Sequence, residues 1–489
     1  MKEEKEYFTS RWSLILSVLG MAIGAGNIWR FPRLAAQNGG GSFLIPWLLF
    51  LFLWSIPLII AEFGIGKYTR AGVVGAFGKL VGRRFTWMGS FVGFCTMGIM
   101  FYYSVVMGWS LKYFVQALTG GLSGIDHGQF WESYTSSYYG PIFYHFLSIL
   151  IGGYVIYRGV VRGIERANKI LIPLLFLLLI MAAIRAITLP NAIMGLNYLF
   201  SIDKSELLDY HTWLEALSQS AWSTGAGWGL ILTYAVYMKR REDIVLNSFL
   251  TGLGNNSASL IAGMAVIPTV FALSASVEEA YAALGSGNTG LTFIAIPHLF
   301  QRMPLSRVFS SLFFLALTFA ALSSLISMIE LATRIFMDAG ISRHRAIFIV
   351  GSGGFLLGIP SAMFMGFFNN QDWTWGLGLL LSGFFVALAA NKFGIREFRD
   401  RIVNTEGNDM NVGRWYDFII KYLVPIEFMV LIGWWFWQSI TVFDREGWWN
   451  PFHTYSIGTC IFQWGIALAL FIAFNRAISK RMLGDQVKI

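Results

Sequence analysis

Charge is what this chain has least of. Only 13% of its 489 residues are Asp, Glu, Lys or Arg, against about 25% in soluble domains. A water-soluble globular protein is excluded on that count. Cysteine is almost absent: Cys95 and Cys460 both lie in apolar runs, so neither a disulfide framework nor a thiolate metal site is expected. The six histidines (127, 145, 211, 298, 344 and 453) show no metal-ligand spacing. No Walker-type phosphate loop occurs, which argues against ATP hydrolysis. The first residues are polar up to Ser10 and the apolar run that follows is a full span, so no cleavable signal peptide is expected. No polar stretch is long enough for a soluble domain; the longest are 120–139, 201–210, 274–290 and 391–414. Nor is there a nucleophile–base or metal constellation of the kind an enzyme needs.

Apolar surface is what the chain has in excess, with 56% hydrophobic and 17% aromatic residues. At about 20 residues per span, the hydropathy accommodates roughly twelve membrane helices. They begin near Trp12, Phe43, Phe85, Ile142, Ile170, Trp213, Ile244, Val308, Ile347, Trp373, Tyr422 and Thr459. The runs are continuous rather than short and alternating, which excludes a β-barrel. The net charge of +9 is a topology signal and not a nucleic-acid footprint. Basic residues such as Lys67, Arg70, Arg83, Arg84, Arg158, Arg162, Arg166, Lys239, Arg240, Arg343, Lys480 and Arg481 occupy alternate loops. Asp126, Glu132, Asp203, Glu206, Glu278 and Glu279 occupy the loops between. The positive-inside rule then puts both termini in the cytoplasm of a multi-pass inner-membrane protein.

Two glycine clusters about 200 residues apart interrupt the first and sixth spans. One is Gly24-Ala25-Gly26-Asn27-Ile28-Trp29-Arg30-Phe31-Pro32; the other is Ser223-Thr224-Gly225-Ala226-Gly227-Trp228-Gly229. Glycine costs about 1 kcal/mol relative to alanine in a helix, so both spans are expected to break there. Matched breaks in two halves point to the substrate site of a secondary transporter. Close helix packing explains small residues, but not Asn27 and Arg30, which are expensive at membrane depth. An unwound segment exposes carbonyls to a cation and a half-helix N-terminus to a carboxylate.

Other polar groups sit in apolar spans: Gln219, Ser223 and Thr224 in the sixth, Asn255, Asn256, Ser257 and Ser259 in the seventh, Ser323, Ser324 and Ser327 in the eighth. Hydroxyl and amide oxygens suit hard alkali cations, though such groups also serve as packing glue. Glu62, Glu330 and Asp372 (which opens the tenth span) read either as proton carriers or as structural locks and gates. The segment around Gly285-Ser286-Gly287-Asn288-Thr289-Gly290 reads as a helical hairpin outside the membrane or as a plain loop.

These motifs, with Gln37-Asn38-Gly39-Gly40-Gly41-Ser42-Phe43, Arg162-Gly163-Ile164-Glu165-Arg166 and Ala320-Ala321-Leu322-Ser323-Ser324, resemble the neurotransmitter:sodium symporter family, whose bacterial members carry amino acids. The resemblance spans nearly the whole chain. It implies an all-α membrane protein of twelve transmembrane helices with a 5+5 inverted repeat and broken helices 1 and 6. The parts are then an N-terminal gate segment (1–11), a first repeat (12–187), a second repeat (213–393) and two last helices (415–478). It also implies two sodium sites. One uses the Ala22 carbonyl, Asn27, Ser223, Asn255 and the substrate carboxylate; the other uses the carbonyls of Gly20, Ile23 and Ala320 with the hydroxyls of Ser323 and Ser324. The substrate carboxylate falls to Tyr103 and the backbone of Gly24, Ala25 and Gly26, with Ala22, Ser223 and Ser324 also implied as substrate-binding.

Position 24 is aspartate in the family's monoamine carriers and glycine here, which implies an α-amino acid. By the same resemblance its side chain would face Met21, Ile99, Val106, Trp222, Gly225, Trp228 and Met328, with no charge among them, so a neutral side chain is implied. Trp228 resembles the glycine carriers of the family and favours a small substrate; the adaptable methionines favour a broad hydrophobic range. Ser259, Gln219, Ser223 and Asn255 resemble the chloride site of chloride-dependent members, with Trp47 where the family has tyrosine. An indole N–H still donates one hydrogen bond, and Glu62 is the alternative source of negative charge. Outside, Arg30 would face Asp372. Inside, Asp338 would face Lys5 where the family has arginine, with Phe8 for a tryptophan; lysine lacks the bidentate fork, and Arg11 and Trp12 are candidate substitutes. The expectation is a sodium-coupled, chloride-dependent amino-acid symporter, monomeric or homodimeric, which binds no nucleic acid. The rivals are proton coupling through Glu62 or Glu330, and an amino-acid sensor or gated channel.

Overall fold

The computed structural model describes residues 6–406 and 408–484. It is helical throughout those residues. Among them, nine helices are long and apolar enough to cross a membrane: α2 (Gly41–Thr69), α3 (Arg83–Thr119), α4 (Tyr139–Tyr157), α5 (Val160–Ile187), α7 (Ile244–Leu273), α8 (Ser306–Asp338), α9 (Arg343–Met363), α10 (Met365–Phe393) and α11 (Arg414–Phe443). Two more are bent pairs: α1a (Arg11–Ala22) with α1b (Ala25–Gln37) at 55°, and α12a (Ile457–Ala473) with α12b (Asn475–Leu483) at 64°. The remaining one is the broken pair α6a (Tyr210–Ser223) and α6b (Leu230–Ala235). Together these make the twelve spans the hydropathy accommodates.

Most helix starts agree with the apolar runs to within a few residues, with three exceptions. α5 starts at Val160 rather than near Ile170, α11 at Arg414 rather than near Tyr422, and α10 at Met365 rather than near Trp373. In the first two the helix runs on through charged residues at the membrane face, where hydropathy is low but backbone geometry is unchanged. Asp372 therefore lies two turns inside α10 and does not open it. The 274–290 segment is helical on both sides of Ser286, as Val277–Gly285 and Gly287–Gly290. Ser276 caps the first piece by accepting from the Glu279 N–H.

α8 runs along α3, and α1a is held between α5, α7 and α8. Such close packing depends on small side chains. A Cβ at Gly20 would lie 2.3 Å from Asn168 Oδ1 of α5. One at Gly227 would lie 2.5 Å from the Gly383 Cα of α10, and Gly227 also has φ +86°, so the α6 break and α10 meet backbone to backbone.

On the face where the N-terminus lies, the bundle is closed. Phe8 is buried against the rings of Tyr234 and Tyr237. Glu165 of α5 accepts from the Thr9 N–H at 2.9 Å and the Ser13 hydroxyl at 2.9 Å. Arg343 bridges to Glu330 at 2.6 Å, and Tyr237 donates to the same carboxylate at 2.6 Å.

Candidate substrate and sodium site

The α1 break consists of Ile23 (φ −79°, ψ 92°) and Gly24 (φ −103°, ψ −174°), both extended. Asn27 folds back over it: its Oδ1 accepts from the Gly24 N–H at 2.9 Å. The Tyr103 hydroxyl of α3 accepts from the Ala25 N–H at 3.1 Å. A Cβ at Gly24 would lie 3.0 Å from that hydroxyl and 3.1 Å from Ser324 Oγ. Gly24 is therefore walled on two sides by oxygens. The α6 break holds Gly225, Gly227 and Gly229 at φ +67°, +86° and +76°, left-handed values that favour glycine. Glu62 of α2 stabilises the restart of this helix by accepting from the N–H groups of Gly229 (3.2 Å) and Leu232 (3.0 Å). Glu62 is thus bonded at the α6b N-terminus and makes no hydrogen bond to Asn27, Ser223, Asn255 or Ser259.

Between the breaks, four polar side chains converge in buried space. Asn27 Nδ2 donates to Asn255 Oδ1 at 2.8 Å, Ser259 Oγ at 2.8 Å and Ser223 Oγ at 3.2 Å. In this orientation Asn255 Oδ1 stands 3.2 Å from the carbonyl oxygens of both Ala22 and Ser223. Turning the Asn255 amide over would satisfy those carbonyls but point its NH2 at the NH2 of Asn27. No amide orientation satisfies every contact. An excess of converging oxygens is what a hard cation resolves, so the donor set fits sodium.

The second set also comes together. Ser323 Oγ donates to the Ala320 carbonyl at 3.0 Å and Ser324 Oγ to the Met21 carbonyl at 3.2 Å. Gly20, Ile23, Ala320, Ser323 and Ser324 are all buried where α1a meets α8. Trp47 packs on Phe31 with ring centroids 4.5 Å apart. Its indole N–H and Gln219 Oε1 are both buried without a partner among the described residues.

A cavity of about 720 Å³ opens from the breaks toward the face opposite the N-terminus. Met21, Ala22, Gly24, Gly26, Ile99, Tyr103, Val106, Trp222, Ser223, Gly225, Trp228, Ser324 and Met328 line it, which is every expected substrate residue except Ala25; Ala25 contributes its N–H to Tyr103. A Cβ at Gly225 would lie 2.7 Å from the Met21 sulfur, so the methionine fills the room this glycine leaves. Farther out the cavity is lined by Arg30, Arg33, His211, Glu215 and Asp372.

The expected gates are only partly made. Arg30 donates to Ser218 at 3.0 Å and stacks 4.6 Å above Trp222, while its Nη1 has no partner among the described residues. It is not paired with Asp372, so this end is open. On the closed face Asp338 is engaged by Arg334 at 2.9 Å and by the Gly72 N–H at 2.5 Å. Lys5 lies outside the described residues. Arg11 does not substitute for it, because it pairs with Asp409 at 2.7 Å and Glu242 at 3.5 Å, and Trp12 is exposed. The plug is Phe8. Ser218, Arg33 and Glu215 were missed in the sequence because a lone polar residue near a span end carries no signal of what it faces.

A broken-helix membrane protein with a mid-membrane oxygen cluster and a cavity open to one face has the build of a secondary transporter. The comparisons narrow that class. A family model described as the sodium:neurotransmitter symporter family matches residues 5–139 and 137–482. An uncharacterised sodium-dependent transporter of Methanocaldococcus jannaschii is 34% identical over 71% of this chain and 73% of its own. The uncharacterised sodium-dependent transporter YhdH of Bacillus subtilis is 29% identical over 88% and 99%. The sodium- and chloride-dependent GABA transporter ine of Drosophila melanogaster is 26% identical over 70% and 41%. Among solved structures, MhsT in complex with L-phenylalanine superposes with a TM-score of 0.77 at 31% identity, covering 87% of this chain and 99% of that one. The chain belongs to the sodium:neurotransmitter symporter family, with its twelve-helix fold and broken helices, and is a sodium-dependent membrane transporter and not an enzyme.

Proposed function

We propose that the protein is a sodium-coupled symporter of neutral amino acids, with chloride as a further requirement. The observation that carries the substrate class is the cradle at Gly24. The Tyr103 hydroxyl, the Ala25 N–H and the α1b N-terminus meet there, a set that accepts a carboxylate. The inner wall of Met21, Ile99, Val106, Trp222, Trp228 and Met328 has no charge to offer a side chain. The L-phenylalanine held in the MhsT complex supports the same reading.

Sodium binds at Ala22, Asn27, Ser223 and Asn255, and again at Gly20, Ile23, Ala320, Ser323 and Ser324. Filling these sites holds α1a against α7 and α8, which keeps the Phe8 side closed. Chloride binds near Ser259, Ser223, Asn255, Gln219 and Trp47, whose orphaned indole N–H is a donor aimed at no protein acceptor among the described residues; the name of the Drosophila relative supports this. With both termini cytoplasmic, the cavity faces outward, and Arg30 closes on Asp372 once substrate is bound. Residues 12–187 and 213–393 act as the two inverted repeats around the site.

The test is binding of a panel of radiolabelled neutral amino acids to purified protein, in Na⁺ against K⁺ and in chloride against gluconate. Sodium-dependent binding lost in gluconate is expected. Binding indifferent to sodium overturns the reading in favour of proton coupling, and binding without uphill accumulation in vesicles favours a sensor or channel.

A further inference from the structure

Glu427 has no role in the site described above, yet it is the carboxyl the fold treats most unusually. It lies in α11 on the inward face with Val424, Phe428 and Leu431, and is 5% exposed. Neither Oε1 nor Oε2 has a hydrogen-bond partner among the described residues. A buried ion without a partner costs several kcal/mol, and such groups neutralise instead. An unpaired carboxyl inside a membrane is therefore a carboxylic acid carrying a proton.

Its surroundings are elements that meet the α6 break. α11 packs on α10, on α6a and on the π-helical segment Leu51–Ser55 of α2. Trp54 in that segment also has an indole N–H without a partner among the described residues. Its ring lies 3.3 Å from where a Cβ of Gly383 would be, and Gly383 in turn abuts Gly227 at the break. α6a, which carries Gln219 and Ser223, thus packs on the same helix that carries Glu427, with Trp434 of α11 against Tyr210 and His211.

Most titratable groups on these helices are engaged elsewhere; on α11, Arg414 opens the helix and Tyr416 is buried with its hydroxyl unpartnered among the described residues. On α2, Glu62 holds the α6b N-terminus, Lys67 donates to the Glu242 carbonyl, and Tyr68 meets Phe393. On α6a, Tyr210 and His211 lie against Trp434, and Glu215 faces the cavity. On α10, Asp372 faces the cavity and Lys392 sits over Phe85. On α11 itself Asp417 pairs with Arg399, and Lys421 sits over Tyr422. None of these groups bonds Glu427.

We propose that Glu427 is a proton-binding site whose occupancy follows the position of α6a: the proton is held in the conformation described here and released when α6a moves off α11. The inference rests on the transport reading only in that sodium, bound at Ser223 at the end of α6a, holds α6a in the conformation described here. The measurement is the protonated-carboxyl stretching band in infrared spectra of the purified full chain, followed against pH in Na⁺ and in K⁺, for wild type and E427Q. E427L serves if the glutamine variant does not fold. A parallel ²²Na⁺ binding assay reads the transport claim separately.

A band absent from E427Q, with about tenfold weaker proton binding in K⁺ than in Na⁺, is the expected result. A band unaffected by E427Q, or titrating identically in both salts while ²²Na⁺ is bound, overturns the proposal. Absence of ²²Na⁺ binding marks the failure of the sodium reading, and this inference falls with it.

Discussion

The side-chain amides of Asn27 in α1b and Asn255 in α7 stand 2.8 Å apart, and that contact ties the first half of the molecule to the second at the depth of both helix breaks. Asn27→Ala removes the amide that Asn255 meets beside the carbonyl oxygens of Ala22 and Ser223. Sodium affinity is expected to fall about tenfold or more, equivalent to about 1.4 kcal/mol, as read by ²²Na⁺ binding. Ser323→Ala with Ser324→Ala should reduce the sodium stoichiometry at the α1a–α8 contact. Unchanged sodium binding in both variants would remove these residues from the ion sites.

The oxygens around Gly24 predict substrate selectivity. Gly24→Asp places a Cβ 3.0 Å from the Tyr103 hydroxyl and brings a second negative charge to where the substrate carboxylate goes. Binding of neutral α-amino acids should be lost. Tyr103→Phe removes one hydrogen bond to a charged group, worth about 1.5–3 kcal/mol, and should weaken substrate binding roughly tenfold to a hundredfold with sodium binding retained. An equilibrium competition assay separates the two effects.

Gly227→Ala tests the backbone contact between the α6 break and α10. The added methyl would sit 2.5 Å from the Gly383 Cα at a φ of +86°. Lower thermal stability in detergent and reduced folded yield are expected. Gly353→Ala, where a Cβ meets nothing, is the control that should leave melting unchanged.

The closed face should yield when Arg343 is removed. Arg343→Ala leaves the buried Glu330 carboxylate with the Tyr237 hydroxyl as its one hydrogen-bond partner among the described residues, and breaking a buried ion pair costs about 3–5 kcal/mol. The variant should populate a form open on the Phe8 side, seen as faster labelling of a cysteine placed at the buried Ser17 of α1a. Pairing the change with Glu330→Gln should restore much of the closed population.

A pH dependence follows from His127, in the helix His127–Ser136 that lies outside the spans. Burial, aided by nearby His298, lowers its pKa from 6.5 to about 4. A histidine depressed in the folded state binds fewer protons than when unfolded, so stability is lost as pH falls from 6.5 toward 4. Melting temperatures at pH 7 and pH 5 should differ more for wild type than for His127→Gln.

The membrane class, the number of spans and the two breaks were determined by the sequence itself. They depend on local properties: apolar length, loop charge, and glycine where a helix cannot continue. Asn27, Ser223, Asn255, Ser323 and Ser324 stood out for the same reason, as polar groups in apolar runs, while the ion-site role proposed for them came from the family resemblance. Which groups face one another was left to the tertiary structure. Arg30 and Asp372 carry opposite charge, but their separation depends on how α1b and α10 tilt, and here Arg30 rests on Trp222. Arg11 and Trp12 were candidates for the inner gate by position alone; the packing sends Arg11 to Asp409 and puts Phe8 in the plug. Glu62, Glu330 and Glu427 look alike as acids in apolar surroundings. Only packing decided that the first holds a helix end, the second an arginine and the third nothing among the described residues, because a carboxyl's state depends on the few ångströms around it and not on its place in the chain.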